Sequence, residues 1–83
     1  MAVLRSSVAS VEVVSDQPGV QVFTGNGFDG TDRTWTGEPV ERHGAVALEP
    51  QHFPDSPHHA SYPTTVLRPG EERRTEVRWR VSR

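Results

Sequence analysis

Hydrophobic and polar positions alternate most cleanly near the C-terminus. Thr75, Val77, Trp79 and Val81 interleave with Arg74, Glu76, Arg78 and Arg80. A period of two puts each set on its own face of a β-strand. Residues 74–81 are therefore expected to form an antiparallel strand with one buried and one wet face, with Trp79 in the core. Residues 11–14 are short and β-branched, as a strand should be. Gln17-Pro18-Gly19-Val20 reads as a type II turn, with Pro setting φ at the second position and Gly supplying a positive φ at the third. Residues 20–24 follow as a strand in which Gln21 shares a face with Phe23, while Val20, Val22 and Thr24 share the other. Residues 40–43 are expected to be a short strand end, residues 45–49 an apolar strand that Pro50 ends, and residues 64–67 a further strand. Arg68-Pro69-Gly70-Glu71 reads as a second Pro-Gly turn. The first ten residues carry no clear period. Apolar residues nowhere recur at i, i+3, i+4, i+7, so the chain is expected to be all-β and part of an antiparallel sandwich.

Two loops hold candidate chemistry. In residues 25–30 three glycines alternate with Asn, Phe and Asp. A phosphate cradle needs a helix N-terminus after it, and no helical pattern follows, so these glycines read as a loop with unusual backbone angles. Residues 51–63 are rich in Pro and carry His52, His58 and His59, with Asp55 among them. Their spacing matches no regular metal site, and no metal is expected.

Composition narrows the class. At 83 residues the chain is one small domain at most. Hydrophobic residues make up 33%, and seven Gly and seven Pro leave a loop-rich chain with little core of its own. There is no Cys to supply disulfides or thiolate ligands, which fits a reducing cytoplasm. The net charge is −2, and all nine basic residues are scattered arginines, which argues against a nucleic-acid partner. No apolar run reaches the roughly 20 residues that span a bilayer. Residues 1–5 do not read as a signal peptide. A cytoplasmic chain with no membrane partner is expected.

Three stretches then occur in order. The first is Asp16-Gln-Pro-Gly-Val-Gln-Val-Phe-Thr-Gly-Asn26, continued by Asp29-Gly30-Thr31. The second runs from His43 to Leu48-Glu49-Pro50-Gln51-His52-Phe53-Pro54-Asp55. The third is Tyr62-Pro63, then Val66-Leu67-Arg68-Pro69-Gly70-Glu71 and the closing strand. Together they resemble the aldose 1-epimerase (galactose mutarotase) family, and they cover residues 11–81. Residues 1–10 match poorly. The chain is thus divided into an N-terminal segment, 1–10, and residues 11–83, the C-terminal portion of a mutarotase-like β-sandwich that is incomplete on its own.

The resemblance implies an enzyme that interconverts the α and β anomers of free hexoses such as galactose and glucose, without a metal or organic cofactor. Glu49 matches the family's catalytic base. Gln21 matches a residue that hydrogen-bonds the sugar, and an amide offers sugar hydroxyls both donors and acceptors. The family's acid is a histidine far upstream of this segment; His43 matches a different position, and His52, His58 and His59 fall in the variable loop. Phe23, Phe28 and Phe53 are aromatic candidates for stacking on a sugar, though such residues more often anchor cores and loops. Phe23 stands where Tyr is commoner, and Val46-Ala47 replace the usual residues before Leu-Glu. A non-catalytic sugar-binding or structural remnant stays open as an alternative. The free aldohexose is the expected partner, alongside self-association or an upstream portion of the sandwich.

Overall fold

The computed structural model describes residues 1–83. It begins with a hairpin that the sequence pattern does not announce. Strand β1 (Ala2–Arg5) pairs antiparallel with β2 (Ser10–Ser15). Ser6 closes the turn between them. Its N–H donates to the Ala9 carbonyl at 2.8 Å, and its Oγ accepts from the N–H groups of Val8 and Ala9. A serine that satisfies its own turn in this way needs no glycine or proline.

Three further strands follow: β3 (Gly19–Phe23), β4 (Ala47–Gln51) and β5 (Val77–Ser82). A single 3₁₀ turn, Ser56–His58, lies between β4 and β5. The strands form two antiparallel sheets, one ordered β1-β2-β5 and the other β3-β4. The chain is all-β, as expected.

Register sorts the side chains of the larger sheet. Val13 stands opposite Ala2 on one side and Trp79 on the other, and Val11 stands opposite Leu4 and Val81. Opposed residues share a face, so these form one apolar surface. The reverse face pairs Glu12 with Arg80 and Val14 with Arg78. The alternation expected of the last strand is therefore real, but the strand starts at Val77. Trp79 is not in a core: it is 56% exposed, and Val81 is 67% exposed. The face is covered around Val13, where Val20 and Pro50 of the other sheet lie near it, and open at Trp79 and Val81. Val13, flanked on both sides, is the one buried hydrophobic residue.

β2 and β3 are consecutive yet lie in different sheets. The crossover at residues 16–18 is pinned to the chain just before β5. Asp16 N–H donates to the Glu76 carbonyl at 3.4 Å, and Glu76 N–H donates to Asp16 Oδ1 at 3.1 Å. The type II turn expected at residues 17–20 does not form. Gly19 has no positive φ and is the extended first residue of β3. The Phe53 ring explains its identity: a Cβ on Gly19 would lie 3.0 Å from two of the ring carbons. The other Pro-Gly turn is present, with Gly70 at φ 84° and Glu71 N–H donating to the Arg68 carbonyl at 3.0 Å.

Three local expectations are corrected. Pro50 does not end β4, which runs on to Gln51. A two-stranded sheet consists only of edges, where a residue without an N–H is tolerated. Residues 40–43 form no strand: Val40 bonds back to Asp32 and Gly30, and His43 takes a left-handed φ of 58°. Residues 64–67 form none either. The Val66 N–H is taken by Thr64 Oγ1, and the Arg73 guanidinium donates to the carbonyls of Thr64 and Val66. Side chains have claimed the groups that a ladder would use.

The shape follows from the thin core. The radius of gyration is 16.6 Å, against about 12 Å for a compact domain of this length. The accessible surface is 6994 Å², against about 4,900 Å² for a folded monomer of this mass. No helix is long and apolar enough to cross a membrane.

Candidate functional site

The β3-β4 pair builds the site. Its register sets Gln21 directly opposite Glu49, with Gly19 opposite Gln51 and Phe23 opposite Ala47. Directly opposed residues project on one side of a sheet with their Cα atoms about 4.5–5.5 Å apart. A small ligand that reaches one of the two therefore reaches both. Val20, Val22, Leu48 and Pro50 make up the opposite, apolar side. Sequence reading put Gln21 and Glu49 on separate strands 28 positions apart; the fold brings them together. Both are exposed.

Aromatic rings bound this polar face. Phe23 meets the edge of Phe28 at 5.7 Å between ring centres. At the other end the Phe53 ring covers Gly19, on the side that Gln21 shares. Phe53 packs edge-on against Tyr62 at 5.1 Å, and Tyr62 stacks on His59 at 4.6 Å. A shallow depression beside Gln21 is lined by Gly19, Gln51, His52 and Phe53. A separate small cavity between the sheets, lined by Met1, Ala2, Val13, Val20 and Pro50, contains neither Gln21 nor Glu49.

The four histidines divide. His52 lines the depression next to Gln21. His58 and His59 both turn to Asp55, whose Oδ2 lies 3.2 Å from His59 Nε2 while its Oδ1 meets His58 Nδ1. His43 Nδ1 lies 2.9 Å from the Thr24 carbonyl at the end of β3. Asp55 itself has a left-handed φ of 62° and precedes the 3₁₀ turn, where Ser56 donates its hydroxyl to the Phe53 carbonyl. No group of three or more His, Asp or Glu side chains has the geometry to hold a metal ion. In the loop after β3, Thr31 donates its hydroxyl to Asp29 Oδ1 at 2.6 Å and its N–H at 3.0 Å, and these bonds hold the Asp29 carboxyl below the usual carboxylate range.

The close approach of Phe53 to Gly19 was missed from sequence. The available signal was a glycine at the start of a strand, which often marks a neighbour pressed against the backbone. Pro18 drew the reading toward a turn instead.

The arrangement offers a proton acceptor, Glu49, beside an amide, Gln21, that donates and accepts hydrogen bonds. The chain is 45% identical over 62 residues to galactose mutarotase of Rattus norvegicus and 44% identical over 62 residues to that of Homo sapiens. It is 39% identical over 64 residues to aldose 1-epimerase of Escherichia coli (strain K12). Each match covers 75% of this chain and 18% of the relative, so the chain spans about a fifth of the length of the curated relatives it matches. No solved structure matches it. The sequence pattern of the Aldose 1-epimerase family matches residues 2–80, and the chain belongs to that family.

Proposed function

We propose that this chain carries the catalytic base and one sugar contact of an aldose 1-epimerase. Its substrates are free hexoses such as galactose and glucose, and it works in the cytoplasm. Glu49 takes the proton from the anomeric hydroxyl. The C1–O5 bond breaks, its electron pair goes to the ring oxygen, and that oxygen receives a proton from an acid. The open-chain aldehyde then rotates about C1–C2 and closes on its other face, with each proton transfer reversed. Gln21 holds a sugar hydroxyl beside the base. The acid is a histidine supplied from outside residues 1–83. A positioned base and acid each contribute about 10²–10⁴-fold.

The observation that carries the proposal is the Gln21–Glu49 register, which sets both groups on one exposed face. The test is polarimetry of freshly dissolved α-D-galactose with the chain and with Glu49→Gln, joined to NMR titration with galactose. Shifts at Gln21 and Glu49, with no acceleration by either protein, are expected of a chain that holds the base without the acid. Acceleration by both proteins alike would remove Glu49 from the chemistry. Galactose shifts confined to other residues would remove the site.

A further inference from the structure

Thr24 and Gly25 directly follow β3, and His43 grips both. The Thr24 carbonyl only accepts, so the proton in the 2.9 Å contact sits on His43 Nδ1 and the ring donates it. The His43 N–H donates to the Gly25 carbonyl at 3.2 Å, an acceptor shared with the Phe28 N–H. His43 does this from φ 58°, a region few residues other than glycine occupy. Gly44 then bonds back to Glu41 at 3.0 Å, and β4 begins three residues later, at Ala47 opposite Phe23. One residue thus ties the end of β3 to the approach of β4.

We propose that His43 is the positioning residue that fixes the register of β3 against β4 and so keeps Glu49 opposite Gln21. In a tight hairpin the turn sets the register. Here residues 24–46 intervene, and a two-residue loop is not available to do it. A slip by one residue sends every side chain of β4 to the other face. Glu49 would then lie among Val20 and Val22, away from Gln21. The consequence for catalysis rests on the function proposed above; the register assignment does not.

The test uses the whole chain in solution. Nuclear Overhauser contacts between Gln21 and Glu49 report the register, and amide exchange reports the pairing of β3 with β4. The opposed pair Val13 and Trp79 in the other sheet serves as the internal reference. His43→Leu is expected to lose the Gln21–Glu49 contact and to speed exchange in β3 and β4 by about tenfold or more, with the Val13–Trp79 contact kept. His43→Asn is expected to restore both. Its side-chain amide nitrogen occupies the place of Nδ1, and Asn tolerates the left-handed backbone. The ring of the parent protein is expected to show a protonated Nδ1 in its nitrogen shifts. The proposal is overturned if His43→Leu keeps the register, if both sheets are lost together, or if His43→Asn fails to rescue. Galactose plays no part in these readouts. A chain that passes them and binds no sugar loses the proposed function and keeps the clamp.

Discussion

Gln21 on β3 and Glu49 on β4 are cross-strand partners, exposed on a face whose reverse is apolar. Exposed substitutions of this kind change stability by no more than about 0.5 kcal/mol. Gln21→Ala is therefore expected to leave the denaturant midpoint almost unchanged. It should weaken galactose binding by about 1 kcal/mol, the size of one lost hydrogen bond and about fivefold in affinity. A titration followed at Glu49 measures this, and unaltered affinity would remove Gln21 from the sugar site.

Gly19 lies under the Phe53 ring. Gly19→Ala puts a methyl group 3.0 Å from that ring, an overpacking expected to cost about 1–3 kcal/mol. The cost should largely vanish in a Phe53→Ala background, because the clash is then gone. A double-mutant cycle by urea denaturation gives the coupling, and additive effects would show that the ring yields freely.

Asp29 titrates low because the Thr31 hydroxyl and then the Thr31 N–H bond its charged form. A carboxyl whose folded pKa lies below its unfolded value stabilises the fold above the unfolded pKa, and the effect is lost as pH falls through the folded one. Thr31→Val removes the hydroxyl, and Asp29 should move up toward the ordinary carboxylate range. A carbon-detected NMR titration follows it. An unmoved Asp29 would assign the shift to the backbone bond alone.

On the apolar face that also holds Val13, Trp79 and Val81 stand exposed. The accessible surface exceeds that of a compact monomer by about 2,000 Å², close to the total area of a standard protein interface. The chain is expected to sediment above its monomer mass, and Trp79→Glu should reduce that association. A monomer with a sharp, cooperative thermal transition would contradict it.

Period-two patterning made β2, β3 and β5 legible, because alternation survives when only one face is apolar. It missed β1, whose Ala-Val-Leu-Arg carries no contrast between faces and whose turn is closed by a serine hydroxyl. It overread residues 40–43 and 64–67, where side-chain and turn hydrogen bonds replace a ladder. Glu49 and Gln21 stand out in the sequence only as separate candidates, through the motifs around them. Their opposition does not, since register across residues 24–46 depends on contacts such as that of His43 with Thr24, which no local pattern encodes. Trp79 shows the opposite limit: its face was foreseen, but burial depends on what lies over the sheet.

The grip of His43 on Thr24 and Gly25 separates the length of the connecting segment from the geometry of the strand pair. Chain between two tethered points costs little to extend, about 0.6 kcal/mol for each doubling of a flexible loop. The exposed tip at Trp35, beyond the bonds that join Gly30 and Asp32 to Val40 and Thr34 to Glu38, is accordingly the part of this segment that can accumulate insertions and deletions over evolutionary time, or accept a grafted peptide in engineering, while the carboxylate and amide stay in step.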